Sequence, residues 1–296
     1  MYWLRPVTII CFTAMLPRRI RFTSLIFRKK ICTGSPKRSY LLSDVKTKES
    51  VLENYVSELN SLCPAPLHEI TDHAKMICDD LGCVYYENMS DNFKHTDKGI
   101  TGKYVEAALF GTMPNTNAGS DLPNGYDIKT THAKKNKDLY SAKERMTITN
   151  CGTKNDYLSF RRITNSSELK DCRHYAKMQR GVLFVFLHEP KVSPGAEPVL
   201  WIQNKTLLSV FTYDLERLPS EEMAILNSDY SVIRKCINDD KISQRNQQYL
   251  HIHKHGTKKS PNVCALGFTS KFLTKLIGVF GDKKIVIKGR SLCVRL

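Results

Sequence analysis

Gly119-Ser120-Asp121-Leu122-Pro123-Asn124-Gly125-Tyr126-Asp127-Ile128-Lys129 is the stretch on which the reading of this chain turns. Asn-Gly between apolar residues predicts a tight hairpin. Asp127 and Lys129 are two apart, so on a strand their side chains leave the same face. Carboxylates with a lysine on one face are what metal-assisted phosphodiester cleavage uses. The carboxylates hold Mg²⁺, and the lysine steadies a water or the charge that develops on the phosphate. The plainer reading is an ordinary hairpin whose polar residues face solvent, and from these residues alone both stand.

The 296 residues suit one large domain or two small ones, and 41% apolar with 25% charged residues describe a globular chain with a core. The net charge of +16 is uneven: residues 1–43 hold nine Lys/Arg and no Asp or Glu, and the remainder holds 36 basic against 29 acidic residues. The body is therefore moderately basic, which suits a polyanionic partner. Ten scattered cysteines include no Cys-x-x-Cys. They read as thiols in a reducing, intracellular compartment rather than a disulfide framework or a structural zinc site.

Residues 1–43 read as a basic extension. The apolar run Val7 to Leu16, bounded by Pro6 and Pro17, is too short to span a membrane. Its acid-free, Ser/Thr-containing composition resembles an organelle (mitochondrial) transit peptide; a secretory signal and an extension without a targeting role are the alternatives. Residues 44–66 read as an amphipathic helix, Asp44 to Leu62, and a linker at Cys63-Pro64-Ala65-Pro66. A second helix is expected from Leu67 to before Gly82, then a polar loop over 89–97. A third runs from Thr101 to Phe110, with Gly111 as its C-terminal cap. Glu106 on that helix faces either solvent or a site.

Beyond the opening stretch, Thr131 to Arg145 reads as a Lys-rich loop or short helix able to lie along a phosphate backbone. Strands are expected at Met146–Asn150, at the near-continuous apolar run Gly181–Leu187, at Val199–Ile202, and from Tyr249 towards Gly256. Helices are expected at Ser220–Asp239, with Ser220 as N-cap, and at Ser270–Phe280, and Lys283–Lys288 closes the sheet. The order suggests one mixed α/β domain over residues 67–296.

Five segments together resemble the MutH family of DNA endonucleases, and within it the GATC-cutting type II restriction enzymes. Lys98, Gly99, Gly102 and Glu106 reproduce a Lys-Gly-x-x-Gly followed by a helical Glu. Asp121, Asp127, Ile128, Lys129 and Thr130 resemble an Asp, a turn, and Glu-x-Lys running into Thr or Ala. Tyr140, Ser141, Lys143, Glu144 and Arg145 match the Tyr-Ser-x-Lys-Glu-Arg block of the restriction branch. Tyr249-Leu250-His251-Ile252 precedes a basic loop, and Phe268 through Ile277 is similar to the family's late aromatic helix. The likeness covers roughly residues 68–290.

The resemblance implies a single restriction-endonuclease-like PD-(D/E)xK domain with a mixed central sheet flanked by helices. It implies a Mg²⁺-dependent DNA endonuclease cutting at a short site such as GATC. Asp121, Asp127 and the Ile128 carbonyl would ligate the metal with Glu106, while Lys129 and the auxiliary Lys177 would act on water and phosphate. Lys98, Gly99, Lys143, Arg145, His253, Lys254, His255 and Lys271 would contact double-stranded DNA, with a homodimer on a palindrome. A strand-nicking enzyme of the mismatch-repair kind and a DNA-binding protein without catalysis are the alternatives. Two features depart from the pattern. Asp127 stands where the family has Glu, and the gap to Asp121 is one residue shorter. A strict two-residue hairpin would pair Leu122 with Asp127, so a bulge is expected to bring Asp121 round. His253-Lys254-His255 also replaces an Arg-Pro-Lys base-reading loop. The alternating histidines 251, 253 and 255 read as facing phosphate or base edges rather than zinc, since no carboxylate or cysteine accompanies them.

Overall fold

The computed structural model describes residues 40–78, 99–112, 119–153, 163–189, 198–239, 242, 245–254, 263–289 and 291–296. In chain order the first elements are α1 (Leu42–Thr47), α2 (Glu49–Ser61), β1 (Ala65–Pro66), α3 (Leu67–Ile77), α4 (Ile100–Phe110), β2 (Asp127–Asn136), β3 (Leu139–Ala142) and β4 (Met146–Thr153). They are followed by α5 (Ala176–Gln179), β5 (Arg180–Leu187), α6 (Pro198–Gln203), β6 (Thr206–Asp214), α7 (Ser220–Asn238), β7 (Leu250–Lys254), β8 (Val263–Phe268), α8 (Ser270–Phe280), β9 (Lys284–Lys288) and β10 (Ser291–Arg295).

The apolar run Gly181–Leu187 sets the architecture. A strand buried on both faces needs no alternation. Val182, Phe184 and Phe186 enter one core, while Leu183 and Val185 enter another. This strand, β5, lies within a seven-stranded sheet of order β1-β6-β5-β2-β3-β10-β9. β5 and β2 run parallel, from Asp127 opposite Gly181 to Ala133 opposite Leu187, and the other described pairs of the sheet are antiparallel. The protein is thus a mixed α/β fold with a mixed central sheet flanked by helices. On one face Leu52, Tyr55 and Leu59 of α2, Ile70 of α3, and Tyr104 and Phe110 of α4 pack on Val182, Phe184 and Ile128. The other face carries Leu226 and Ile233 of α7, Phe272 and Leu276 of α8, and a three-stranded antiparallel sheet of order β4-β8-β7. Among the described residues no helix is long and apolar enough to cross a membrane.

Local chemistry explains several boundaries. α4 stops at Gly111, whose φ of +54° is a left-handed conformation that glycine enters without strain. α8 starts where Thr269 Oγ1 accepts from Phe272 N–H at 3.2 Å. Other expectations need correction. The predicted helix 44–62 is two helices, because Lys48 adopts extended backbone between them. The stretch 44–66 packs into the first core, and Ala65–Pro66 pairs with β6. Residues 131–142 form a hairpin, not a loop or helix: β2 runs on to Asn136 and turns through Lys137, with φ of +59°, into β3. Pairing with β3 overrides the weak strand propensity of its lysines. Val199–Ile202 lies in a helix, since four apolar residues carry no period that separates strand from helix. α3 ends at Ile77. α7 begins at Ser220 itself, after Pro219, without a side-chain cap. β9 lies at the sheet edge, with β10 between it and β3. The loop expected over 89–97 lies outside the described residues.

Asp229 of α7 fixes the second core to the small sheet. Its carboxylate is 2% exposed and accepts from the backbone N–H groups of Gln248, Tyr249 and Leu250 at 2.8, 2.5 and 2.9 Å. Bonds to a charged acceptor are stronger than neutral ones, and donors left buried without one are costly. Asp229→Ala is expected to destabilise the fold by about 3 kcal/mol. Thermal unfolding should show it as a midpoint lowered by roughly 6–12 °C; a shift within error would show that this carboxylate does not anchor β7.

Candidate functional site

The site forms where β2 begins. Leu122 N–H donates to Tyr126 O at 2.9 Å, and Gly125 N–H to Leu122 O at 3.0 Å. Gly125 has φ of +88°, which the turn requires of a residue without Cβ. The turn is tied down twice: Asn124 N–H donates to Lys46 O at 3.2 Å, and Tyr126 Oη to Glu49 Oε1 at 3.0 Å. A strict two-residue pairing of Leu122 with Asp127 does not form; the expected bulge is present, with Gly125 as the extra residue between the Leu122–Gly125 turn and Tyr126. Leu122 N–H bonds to Tyr126 O, and the bulge brings Asp121 round to Asp127. Asp121 N–H donates to Asp127 Oδ1 at 3.1 Å, and Asp121 Oδ2 accepts from Ile128 N–H at 2.9 Å.

Two lysines complete the arrangement. Lys129 Nζ stands 2.8 Å from Asp127 Oδ2 and 3.8 Å from Asp121 Oδ2. Lys177 Nζ, from the short helix α5 ahead of β5, stands 3.4 Å from Asp127 Oδ1 and 3.9 Å from Asp121 Oδ1. The Asp127 side chain is 1% exposed, against 15% for each lysine and 17% for Asp121. A carboxylate so buried needs such partners, because desolvation of an unpaired charge costs several kcal/mol. Glu106, on α4, lies within electrostatic reach of the quartet. Burial first, then the charges of Asp121 and Asp127 against the opposing pull of Lys129 and Lys177, push its carboxyl up to about 7. Among the described residues no group of three His, Cys, Asp or Glu converges closely enough to hold a metal ion. The structure thus gathers Asp121, Asp127, Lys129 and Lys177, with Glu106 within electrostatic reach and the Ile128 backbone held by Asp121.

Residues with no local sequence signal support the quartet. Arg180, at the start of β5, pairs with Asp214 at 2.8 Å and Glu49 at 3.2 Å, its guanidinium 5.8 Å from the centre of the Tyr126 ring. It joins the turn, α2 and β6. Gly181 lies opposite both Asp127 and Tyr213, and a Cβ there would stand 2.6 Å from the Tyr213 ring. A glycine at the head of a buried strand is a general sign of close backbone approach, and nothing local says which side chain makes it.

The expected DNA-contacting residues are dispersed. Lys98 and His255 lie outside the described residues. Gly99 precedes α4, and Lys143, Arg145, Lys254 and Lys271 are exposed. Lys271 Nζ donates to Gln248 Oε1 at 3.0 Å. His253 differs from expectation: it is 1% exposed, stacked on His251 with ring centroids 4.7 Å apart, beside Thr147 Oγ1 at 3.4 Å. Both rings lie over Gly267, where a Cβ would meet His251 Nε2 at 3.1 Å and His253 Cε1 at 3.3 Å. An edge strand buried on both faces has no solvent side to offer its histidines.

No protein-family model matches the chain, and no curated protein matches it significantly.

His251 is held at a pKa of about 4 by burial and by Arg145. His132, on β2, is held at about 4 by burial and by the nearby Lys205, His188 and Lys143. Histidine in the unfolded chain titrates near 6.5, so from about pH 6.5 down to about 4 the unfolded state binds protons that the folded state refuses. Stability present above that window is lost as pH falls through it. The unfolding midpoint should drop between about pH 7.5 and pH 5, and His251→Gln should reduce the drop. An equal drop in the variant would count against a neutral buried His251.

Proposed function

We propose that the protein is a Mg²⁺-dependent endonuclease of double-stranded DNA, built on a PD-(D/E)xK domain and related to the MutH group through its restriction-enzyme branch. The observation that carries this reading is the convergence of Asp121, Asp127, Lys129 and Lys177 within 2.8–3.9 Å at the start of β2.

The charges support it. Two carboxylates and two ammonium groups sum to zero, and Glu106, its carboxyl pushed up first by burial and then by Asp121, adds a further acidic group within their electrostatic reach. A phosphodiester arriving there needs added positive charge. The donors are hard oxygens, which suit Mg²⁺, a cation that typically takes one or two protein carboxylates and keeps several waters. Asp121, Asp127 and the Ile128 carbonyl would hold it, with Glu106 supporting from α4. A bound cation supplies a water of lowered pKa and positive charge at the phosphate. Lys129, set between the two carboxylates, then orients the attacking water or offsets charge on the phosphorane oxygens. Lys177 offsets the carboxylates from their other side, which keeps Asp127 in place while buried. The exposed Lys143, Arg145, Lys254 and Lys271 would contact phosphates rather than base edges. One such domain presents one quartet, so cutting both strands calls for two copies on a palindrome.

Supercoiled plasmid with Mg²⁺ tests the reading. Cleavage is expected from the wild type, and Asp121→Ala and Lys129→Ala should each lower the rate by about a hundredfold or more. Linear fragments with fixed ends would mean paired cutting, and open circles alone would mean nicking. Binding without any cleavage would sink the enzyme reading in favour of a DNA-binding scaffold. The affinity for DNA should also collapse with salt, by about 10³-fold or more from about 50 to 200 mM if six or more phosphates are contacted. Salt-insensitive binding would contradict a phosphate-contacting surface.

A further inference from the structure

Tyr213, Gly181 and Asp127 form one row across the three central strands β6, β5 and β2. Gly181 is what allows the row to close. A Cβ in its place would stand 2.6 Å from Tyr213 Cε1, 2.7 Å from Oη and 2.8 Å from Cζ. The phenol therefore lies across the β5 backbone with its hydroxyl over Gly181, one strand away from Asp127. Tyr213 is 1% exposed, and its Oη has no hydrogen-bond partner among the described residues. Its ring packs in the second core, 6.4 Å from that of Phe280.

A phenylalanine would make the same packing without the hydroxyl. An unmet buried hydroxyl is destabilising, so its presence asks for a partner that the described residues do not provide. The surroundings say what kind. Burial, then the charges of Asp127 and Asp121, push the phenol upward from its ordinary pKa. It stays protonated, a donor within electrostatic reach of both carboxylates. A direct bond to Asp127 is absent from the structure: Lys177 Nζ donates to Asp127 Oδ1 at 3.4 Å, while Asp127 Oδ2, with Lys129 Nζ 2.8 Å away as an ion pair, has no hydrogen-bond partner among the described residues. What fits between a buried O–H donor and a carboxylate pair is a water.

We propose that Tyr213 is a further positioning residue of the site: its hydroxyl, admitted by Gly181, donates a hydrogen bond to a water held at the Asp121–Asp127 pair. The inference deepens the nuclease reading and rests on it for the water's identity, a water of the bound divalent cation. Tyr213 acts through that water and does not touch DNA.

The test compares the full-length wild type with Tyr213→Phe, which removes one oxygen and keeps the ring. Three readouts are needed: thermal unfolding without metal, Mn²⁺ binding by calorimetry, and cleavage kinetics. The expected result is an unfolding midpoint equal to or above wild type, Mn²⁺ affinity lowered by about threefold to tenfold, and kcat lowered by about tenfold at unchanged KM for DNA. Wild-type Mn²⁺ affinity and kcat in the variant would overturn the proposal. So would a fall in midpoint that accounts for the lost activity, since the hydroxyl would then be structural. A wild type that binds Mn²⁺ and cuts no DNA removes the nuclease reading alone, and Tyr213 is then judged on the affinity difference. A wild type that binds no Mn²⁺ overturns both.

Discussion

The buried carboxylate of Asp127 is the constraint to which the surrounding structure answers. It sits at the first position of β2, on the face turned to the second core, shielded from bulk solvent. An ionised carboxylate in such a place is stable only with opposite charge at contact distance. Lys129 supplies this from the same strand and Lys177 from the helix ahead of the neighbouring strand. The parallel pairing of β2 with β5 is therefore also a charge-pairing device. It sets the end of α5 beside the start of β2, so that the two ammonium groups approach Asp127 from different oxygens. Removing either lysine leaves the other to hold the charge alone.

Around that pair the turn is held from outside the sheet. Arg180 binds Asp214 and Glu49, Glu49 receives Tyr126, and Lys46 O receives Asn124. Helices α1 and α2 thus do more than cover the first core. They clamp the turn that presents Asp121. The N-terminal helices and the site are coupled by polar contacts, while the sheet and the cores supply the rigid frame on which such contacts keep their geometry.

Much of this was legible in the sequence, and the rest was hidden for physical reasons. The Asp127–Lys129 face follows from the two-residue period of a strand, and both residues are where that period puts them. α4 and α8 were readable because a left-handed glycine ends one and a threonine hydroxyl caps the other. β5 was readable from its unbroken apolar run. The hairpin through Lys134, Lys135 and Asn136 was not, because it is pairing with β3 that holds those polar residues extended. α6 was not, because Val199 to Ile202 is too short to show a period. The bulge at the turn follows from the sequence, because Asp121 can join Asp127 only if one residue is extra, and Gly125 is the residue that can take the left-handed backbone a bulge needs. His253 was assigned to the surface from its basic neighbours, and nothing local reveals that Gly267 opens a recess for its ring. Lys177 entered through family resemblance. Arg180 and Tyr213 depend on contacts across strands, which no local pattern carries.

The parallel alignment of β2 and β5 has one more consequence, for how this chain tolerates change. Antiparallel neighbours share a short turn, whereas parallel neighbours must be joined by a crossover. Here the crossover runs from Asn136 to Arg180 and includes β3, β4 and α5. The entropy of closing a loop grows only with the logarithm of its length, so doubling a flexible connection costs about 0.6 kcal/mol. That latitude does not extend to the described part of this crossover: Ile163, Leu169, Cys172 and Tyr175 pack in the second core ahead of α5, which sets Lys177 beside Asp127. The turn from Asp121 to Asp127 is likewise constrained by the bonds of Asn124 and Tyr126. A change of length in either segment displaces a member of the quartet.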